Sequence, residues 1–242
     1  MLASLIGLLY PNACLLCRAP LPSRRTDRHL LCGACQQRLP RTRAPYCVRC
    51  GAPLAAAFDA IVRCRACRDR PPAFEMARAP LQYAGTGQTL LRQIKYHHRW
   101  RLSRWLANDM AALAASAFPL EAITLLAPVP AHWLKRRMRG AHPTDELGRD
   151  IARLLQKPYA ASALRCVRWT RAQHHLPSPG ARWRNVRHAF VAQPRLVNDR
   201  AVLLIDDVMT SRATAHACAA ALKEAGARAV YVLTGARTPL HE

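Results

Sequence analysis

Apolar positions follow two different rhythms on either side of residue 72. Beyond it, Leu90, Leu91, Ile94, Leu102, Trp105, Leu106, Met110 and Leu113 recur at helical spacing and predict a mainly helical stretch over 89–117. The apolar run 123–129, ended by Pro130, predicts a strand. A helix is expected over 144–156, with Asp145 and Glu146 in the first turn, where unpaired N–H groups favour acids. Further strands are predicted over 164–169, 201–205 and 229–234, an edge strand over 78–84, and a helix over 213–225 closed by Gly226. Strands alternating with helices predict an α/β domain whose mainly parallel sheet is covered on both faces.

Before Arg70-Pro71-Pro72, which reads as a linker, cysteines replace periodicity as the organising signal. Eight of the ten cysteines form four Cys-x-x-Cys pairs: Cys14/Cys17, Cys32/Cys35, Cys47/Cys50 and Cys64/Cys67. The segment aligns with itself, Cys14-Leu-Leu-Cys17-Arg-Ala-Pro-Leu21 on Cys47-Val-Arg-Cys50-Gly-Ala-Pro-Leu54, which marks an internal duplication. Two residues between cysteines let both sulfurs of one turn reach one ion, and two turns complete a tetrahedral zinc shell. Disulfides are the competing reading, disfavoured because no secretion signal is evident. The expectation is therefore a double zinc-ribbon domain over 1–72 with two closed, structural zinc sites, one per copy, cross-braced pairing being the alternative. A second domain is expected over 73–242. Cys166 and Cys218 read as buried small side chains.

Composition changes this picture little. The 242 residues are 51% hydrophobic and 21% charged, as in ordinary globular proteins, which excludes collagen, coiled coil and wholesale disorder. The apolar stretch 2–10 is far short of the ~20 residues a membrane helix needs. A cytoplasmic protein with no membrane span is expected. The formal charge of +23 invites a polyanionic partner, but it is carried by 33 Arg against 4 Lys in an Ala-rich chain, as GC-biased coding alone produces. Around the cysteines, Arg18, Arg24, Arg25, Arg49, Arg63, Arg65 and Arg68 are interleaved with only Tyr46 and Phe58, a thin stacking platform for nucleic acid.

The chemistry concentrates at Val202-Leu-Leu-Ile-Asp206-Asp207-Val208-Met209-Thr210-Ser211-Arg212-Ala213-Thr214. A buried strand runs into an acidic pair, a hydroxyl-bearing loop and a helix start. Ligands of open α/β sheets bind beyond the carboxyl ends of strands, and helix N-termini attract phosphate. Thr210, Ser211 and Thr214 add hydroxyl donors, while Asp206 and Asp207 suit ribose hydroxyls or a Mg²⁺ shell. A phosphorylated sugar satisfies both ends.

This junction resembles the 5-phosphoribosyl 1-pyrophosphate (PRPP) signature of type I phosphoribosyltransferases. With four cysteine pairs in front, the whole chain resembles the ComF family, bacterial proteins linked to DNA uptake in natural transformation. Further matching fragments are Lys95-Tyr96, Pro128-Val129-Pro130, Arg139-Gly140, Thr170-x-x-Gln173 and Arg182-x-x-Asn185. The resemblance implies a double zinc ribbon joined to a type I phosphoribosyltransferase-like sheet. It also implies a PRPP site formed by Asp206, Asp207, Thr210, Ser211, Arg212, Ala213 and Thr214, with Mg²⁺ accompanying the ligand.

Two departures stand out. Arg212 occupies the place of a phosphate-loop glycine, where it either crowds the cradle or adds a charge-assisted phosphate contact. Ala141-His142-Pro143 replaces the Phe-Asn-Gln that the family carries after Arg139-Gly140. Three functions remain open: a phosphoribosyltransferase releasing pyrophosphate, a PRPP- or nucleotide-binding module without turnover, and a zinc-ribbon protein that binds single-stranded DNA or the uptake machinery. The residues of 173–185 read as a hood over the ligand, with Arg182 and Arg184 more naturally solvated. The adjacent pairs His97/His98 and His174/His175 do not share a helical face and read as loop or surface residues.

Overall fold

The computed structural model describes residues 13–21, 30–54, 62–97, 100–131, 143–170, 176 and 178–239. Five strands, β1 (Met76–Arg78), β2 (Leu81–Gln82), β3 (Leu125–Pro128), β6 (Ala201–Met209) and β7 (Ala229–Arg237), form an all-parallel sheet. Its order is β1, β7, β6, β3, with β2 continuing along the edge of β7 that β1 occupies. The expected edge strand over 78–84 is thus two short strands broken at Ala79-Pro80. Separately, β4 (Leu164–Cys166) and β5 (Phe190–Ala192) pair antiparallel.

The helices are α1 (Gly33–Gln37), α2 (Arg65–Asp69), α3 (Gly85–His97), α4 (Trp100–Ala117), α5 (Pro143–Leu155), α6 (Pro179–Val186), α7 (Pro194–Val197) and α8 (Ala213–Glu224). The helical stretch expected over 89–117 is divided between α3 and α4. Side chains alternate across a strand, so β6 serves two cores at once. Leu203 and Ile205 pack with Leu90, Leu91, Leu102, Leu106 and Met110 of α3 and α4. Val202 and Leu204 pack with Cys218, Ala219 and Leu222 of α8, and with Leu164, Phe190 and Ala192 of β4 and β5. Burying such a Leu is worth about 1.5–3 kcal/mol, which explains the unbroken apolar run of a strand covered on both faces.

The central strands run further than the apolar pattern predicts. β6 passes through both acids to Met209 because β7 pairs with it throughout, Asp206 beside Thr234 and Met209 beside Arg237. Gly235 makes the close approach possible: a Cβ there would lie 2.9 Å from the Asp207 carbonyl oxygen and 2.9 Å from a Leu106 methyl. α8 ends near its predicted position, and Gly226 follows with φ +93°, the left-handed backbone a helix stop uses.

The two cysteine-rich copies occupy opposite faces of this sheet. Cys14, Leu31 and Cys35 join the core beneath α3 and α4, whereas Cys47, Cys50, Cys64 and Cys67 join the core beneath α8. Arg41 ion-pairs with Asp109 of α4 and lies over the Trp105 ring at 5.7 Å, fastening the connection between the copies to the helical layer. Among the described residues, no helix is long and apolar enough to cross a membrane.

Candidate zinc centres and phosphate-loop site

The duplication read from the cysteines is repeated in the backbone. In the first copy the Cys14 N–H donates to Ala19 O and the Arg18 N–H to Cys14 O, both at 2.8 Å; in the second, Cys47 donates to Ala52 O and Gly51 to Cys47 O, again at 2.8 Å. Bridges Ala13 to Pro20 and Tyr46 to Pro53 close the two turns identically. Residues four beyond the first cysteine, Arg18 and Gly51, both take left-handed backbone, φ 63° and 65°. Only the second must be glycine. A Cβ on Gly51 would sit 2.6 Å from the Ala77 carbonyl oxygen, because this turn is pressed onto β1.

Each copy gathers its own four sulfurs. Those of Cys14, Cys17, Cys32 and Cys35 lie within 4.8 Å of one another, as do those of Cys47, Cys50, Cys64 and Cys67. The cross-braced alternative is thereby excluded. Backbone N–H groups already serve the sulfurs as they serve thiolates: Cys32 and Cys64 each donate to the first cysteine of their copy at 3.3 Å, and Cys35 and Cys50 to neighbouring sulfurs at 3.4 and 3.5 Å. A closed four-sulfur donor set of this kind fits zinc, and both sets are zinc-binding sites of the structural type, with no position for water. They differ in exposure: Cys17 is exposed, while all four cysteines of the second site are buried.

Near the carboxyl end of β6, Asp206 and Asp207 follow one another, and their carboxyls stay within hydrogen-bonding reach of each other. The Asp207 carboxylate accepts from Lys95 Nζ of α3 at 2.9 Å and from the Val208 N–H at 2.7 Å. Asp206 accepts from the Asp207 N–H at 2.9 Å and faces the α8 side, toward Cys218. Their acidities diverge accordingly. Burial, reinforced by the Asp207 charge, drives the Asp206 carboxyl well above the usual range. Burial acts on Asp207 too, but the Lys95 ammonium and the Val208 N–H outweigh it and hold that carboxyl low. Thr210 and Ser211 follow, partly exposed, and then α8, whose first-turn N–H groups have no carbonyl ahead of them in the helix.

Arg212 adopts neither role the sequence suggested for its side chain. It has the left-handed backbone a glycine would take, φ 68° and ψ −6°, and its guanidinium turns away from the loop. Buried, it donates to Cys67 Sγ at 2.9 Å and to Arg70 O at 3.5 Å. What Arg212 leaves at the loop is its backbone.

A second buried arginine went unnoticed in the sequence. Arg237, 1% exposed at the end of β7, donates through Nη1 to the carbonyls of Met209, Thr210 and Thr238 at 3.0, 2.6 and 2.8 Å. Its Nε faces Cys50 O at 3.3 Å and its Nη2 Cys50 Sγ at 3.8 Å. The available signal was a cation ending an otherwise apolar strand in register with the loop.

Other singled-out residues are dispersed. Arg182 and Arg184 lie on α6, Arg184 exposed and Arg182 partly buried with an unpartnered Nε. Trp183 between them stacks near His216 at 4.6 Å, under Arg70 at 4.7 Å. Burial, then Arg70 and Arg212, lower the His216 pKa, in keeping with its neutral Nδ1 accepting the Ala73 N–H at 3.0 Å. Cys166 and Cys218 are buried as expected. Arg18, Arg63, Arg65 and Arg68 are exposed, but Arg49 is paired with Glu75 at 3.4 Å and the Tyr46 ring is covered by Arg78 at 4.8 Å. Arg24, Arg25, Phe58, Arg139-Gly140, Ala141-His142, Gln173, His98 and the His174/His175 pair lie outside the described residues, as do the side chains of Tyr96, His97 and Pro143.

Residues 5–69 match the double zinc ribbon domain family. Over 234 residues the chain is 29% identical to the DNA utilization protein YhgH of Escherichia coli K12, covering 96% of this chain and 99% of that one. It is 24% identical over 224 residues to competence protein F of Haemophilus influenzae, covering 90% and 94%. Two solved structures, an allosteric regulatory enzyme of purine biosynthesis and the glutamine PRPP amidotransferase of B. subtilis, overlay at TM-scores of 0.34 and 0.36 with 21% identity. The overlays cover 55% and 54% of this chain, which spans about a quarter of the length of either enzyme, 26% in each case.

Proposed function

We propose, from its double zinc ribbon and its end-to-end similarity to competence protein F and YhgH, that the chain is a ComF-family protein that binds Mg²⁺-PRPP or a closely related phosphorylated ribose at the β6–α8 junction, in the service of DNA uptake. One observation carries the reading: a carboxylate pair lies near the carboxyl end of a central parallel strand, two residues before a hydroxyl-bearing loop that leads into the N-terminus of α8. The N–H groups of 211–214, with the hydroxyls of Thr210, Ser211 and Thr214, receive the 5′-phosphate. Asp206 and Asp207 address the ribose hydroxyls. Asp207 is already engaged by Lys95 Nζ at 2.9 Å. Asp206 is the carboxylate able to join the Mg²⁺ shell, with ligand phosphate oxygens supplying the rest, as Mg²⁺ prefers.

Two chemistries suit such a site: holding the ligand as a signal, or letting an acceptor displace pyrophosphate at the anomeric carbon. Titration calorimetry with Mg²⁺-PRPP tests the shared premise, and pyrophosphate release separates the two. Wild type should bind and Asp206→Asn should not, with zinc content unchanged in both. Absence of wild-type binding at millimolar PRPP refutes the reading. A direct role in handling single-stranded DNA is the second reading, favoured by the exposed Arg18, Arg63, Arg65 and Arg68 on the ribbons.

A further inference from the structure

We propose that the second cysteine cluster is the counter-ion of two buried arginines, Arg212 and Arg237, and that its zinc thereby sets the shape of the Thr210–Arg212 loop; the inference concerns loop geometry and becomes a statement about ligand binding only through the function proposed above. A guanidinium stays charged at any ordinary pH, and burying one without an anion is strongly unfavourable. Arg237 is 1% exposed and Arg212 7%, yet among the described residues neither forms a salt bridge with a carboxylate. Both instead reach sulfurs of the second cysteine cluster: Arg212 Nη1 stands 2.9 Å from Cys67 Sγ and Arg237 Nη2 3.8 Å from Cys50 Sγ. Four thiolates around Zn²⁺ carry two net negative charges, and two guanidinium ions balance them. Among the described residues, no arginine side chain donates to a sulfur of the first site, so the arrangement distinguishes two clusters that the sequence presents as copies.

The same two residues reach the loop. Arg237 holds the carbonyls of Met209 and Thr210, the last residue of β6 and the first of the loop, while it faces both the carbonyl and the sulfur of Cys50. Arg212 belongs to the loop and is drawn out of it by Cys67. With the anion gone, both cations lose their partner and must turn toward water. For Arg212 that means swinging across the mouth of the loop, and for Arg237 it means releasing two carbonyls. Arg212 and Arg237 are therefore positioning residues between metal and loop. The left-handed backbone of Arg212, unexplained by its neighbours in the chain, is the conformation that aims its side chain at the sulfur.

The test uses the full chain with Cys17→Ser, which removes the first zinc and leaves the second as the one metal to follow. Two readouts need no PRPP: zinc release to a chromogenic chelator, and amide hydrogen exchange over 209–214. Arg237→Gln should accelerate zinc release about 10- to 100-fold, the usual effect of losing an outer-shell partner, and raise exchange over 209–214. Arg237→Lys, which keeps the charge, should lie between Gln and wild type. Stripping zinc from the Cys17→Ser protein should raise exchange in the same amides. If Arg237→Gln does not fold, Arg212→Gln carries the same comparison. Zinc release within twofold of the parent in the Gln variant, or unchanged exchange over 209–214 after zinc is stripped, overturns the proposal. PRPP titration of the same samples then reports separately on the proposed function, whose failure leaves the zinc and exchange results standing.

Discussion

Replacing each member of the acidic pair by its amide should give opposite stability effects with the same loss of ligand. Asp207 accepts from Lys95 at 2.9 Å, and Asp207→Asn leaves that ammonium without its carboxylate. A hydrogen bond between charged groups is worth about 1.5–3 kcal/mol, but Lys95 is 39% exposed and water replaces part of it, so a net loss of about 1–2 kcal/mol is expected. For a chain of this size that lowers Tm by about 2–8 °C. Asp206→Asn keeps the oxygen that accepts the Asp207 N–H and removes a charge that burial and Asp207 both oppose, so Tm should stay level or rise. Acidity gives the signs a second check. The Asp207 contribution is complete above the unfolded aspartate pKa of ~3.9 and disappears as pH falls through the lower folded value. The Asp206 penalty sets in as pH rises above ~3.9 and levels off at the raised folded value, so the advantage of Asp206→Asn grows across that interval. Differential scanning calorimetry at pH 4 to 8, without ligand, measures both. Equal destabilisation by the two variants, or a gap that shrinks as pH rises, refutes the assignment of opposite environments to neighbouring residues.

Three further outcomes follow from the same geometry. Protein prepared without chelator should carry two zinc ions by elemental analysis; zero zinc with cysteines oxidised in pairs would overturn the metal assignment. Gly51→Ala should destabilise by at least ~1–2 kcal/mol, the strain of left-handed backbone alone, and more through the contact with Ala77 O, whereas Arg18→Ala at the matching turn should be nearly silent; comparable denaturant midpoints for both would contradict the docking of the second copy on β1. Single-stranded DNA binding, measured by fluorescence anisotropy, should weaken steeply with salt and show little sequence preference, since the ribbons offer exposed arginines and few stacking rings; salt-independent tight binding would count against it.

The sequence was most readable where one physical rule dominates. Cysteine spacing alone assigns eight ligands, and the apolar runs mark β3, β6, β7 and the layered sheet. Periodicity gives no signal where polar or small residues occupy a paired strand, so the last four residues of β6 and the last three of β7 lie beyond the apolar runs. β5, three residues long, is too short to leave a pattern. The loop motif was legible as a string, but the direction of the Arg212 side chain was not. It depends on Cys67, 145 positions earlier in the chain, and Arg237 likewise on Cys50 at a separation of 187. Both contacts exist because the second ribbon lies against the ends of β6 and β7, a placement that spacing does not encode.

The division of the two ribbons between opposite faces of the sheet also constrains how the chain can fold during synthesis. The second ribbon emerges early, yet its turn rests on β1 and its sulfurs meet Arg237, at the end of the last strand. Until β7 has been made and inserted between β1 and β6, the cluster of Cys47, Cys50, Cys64 and Cys67 has neither its apolar cover nor its counter-charges. Four reactive thiols consequently spend the interval exposed, and early metal capture protects them from oxidation while the sheet assembles around them.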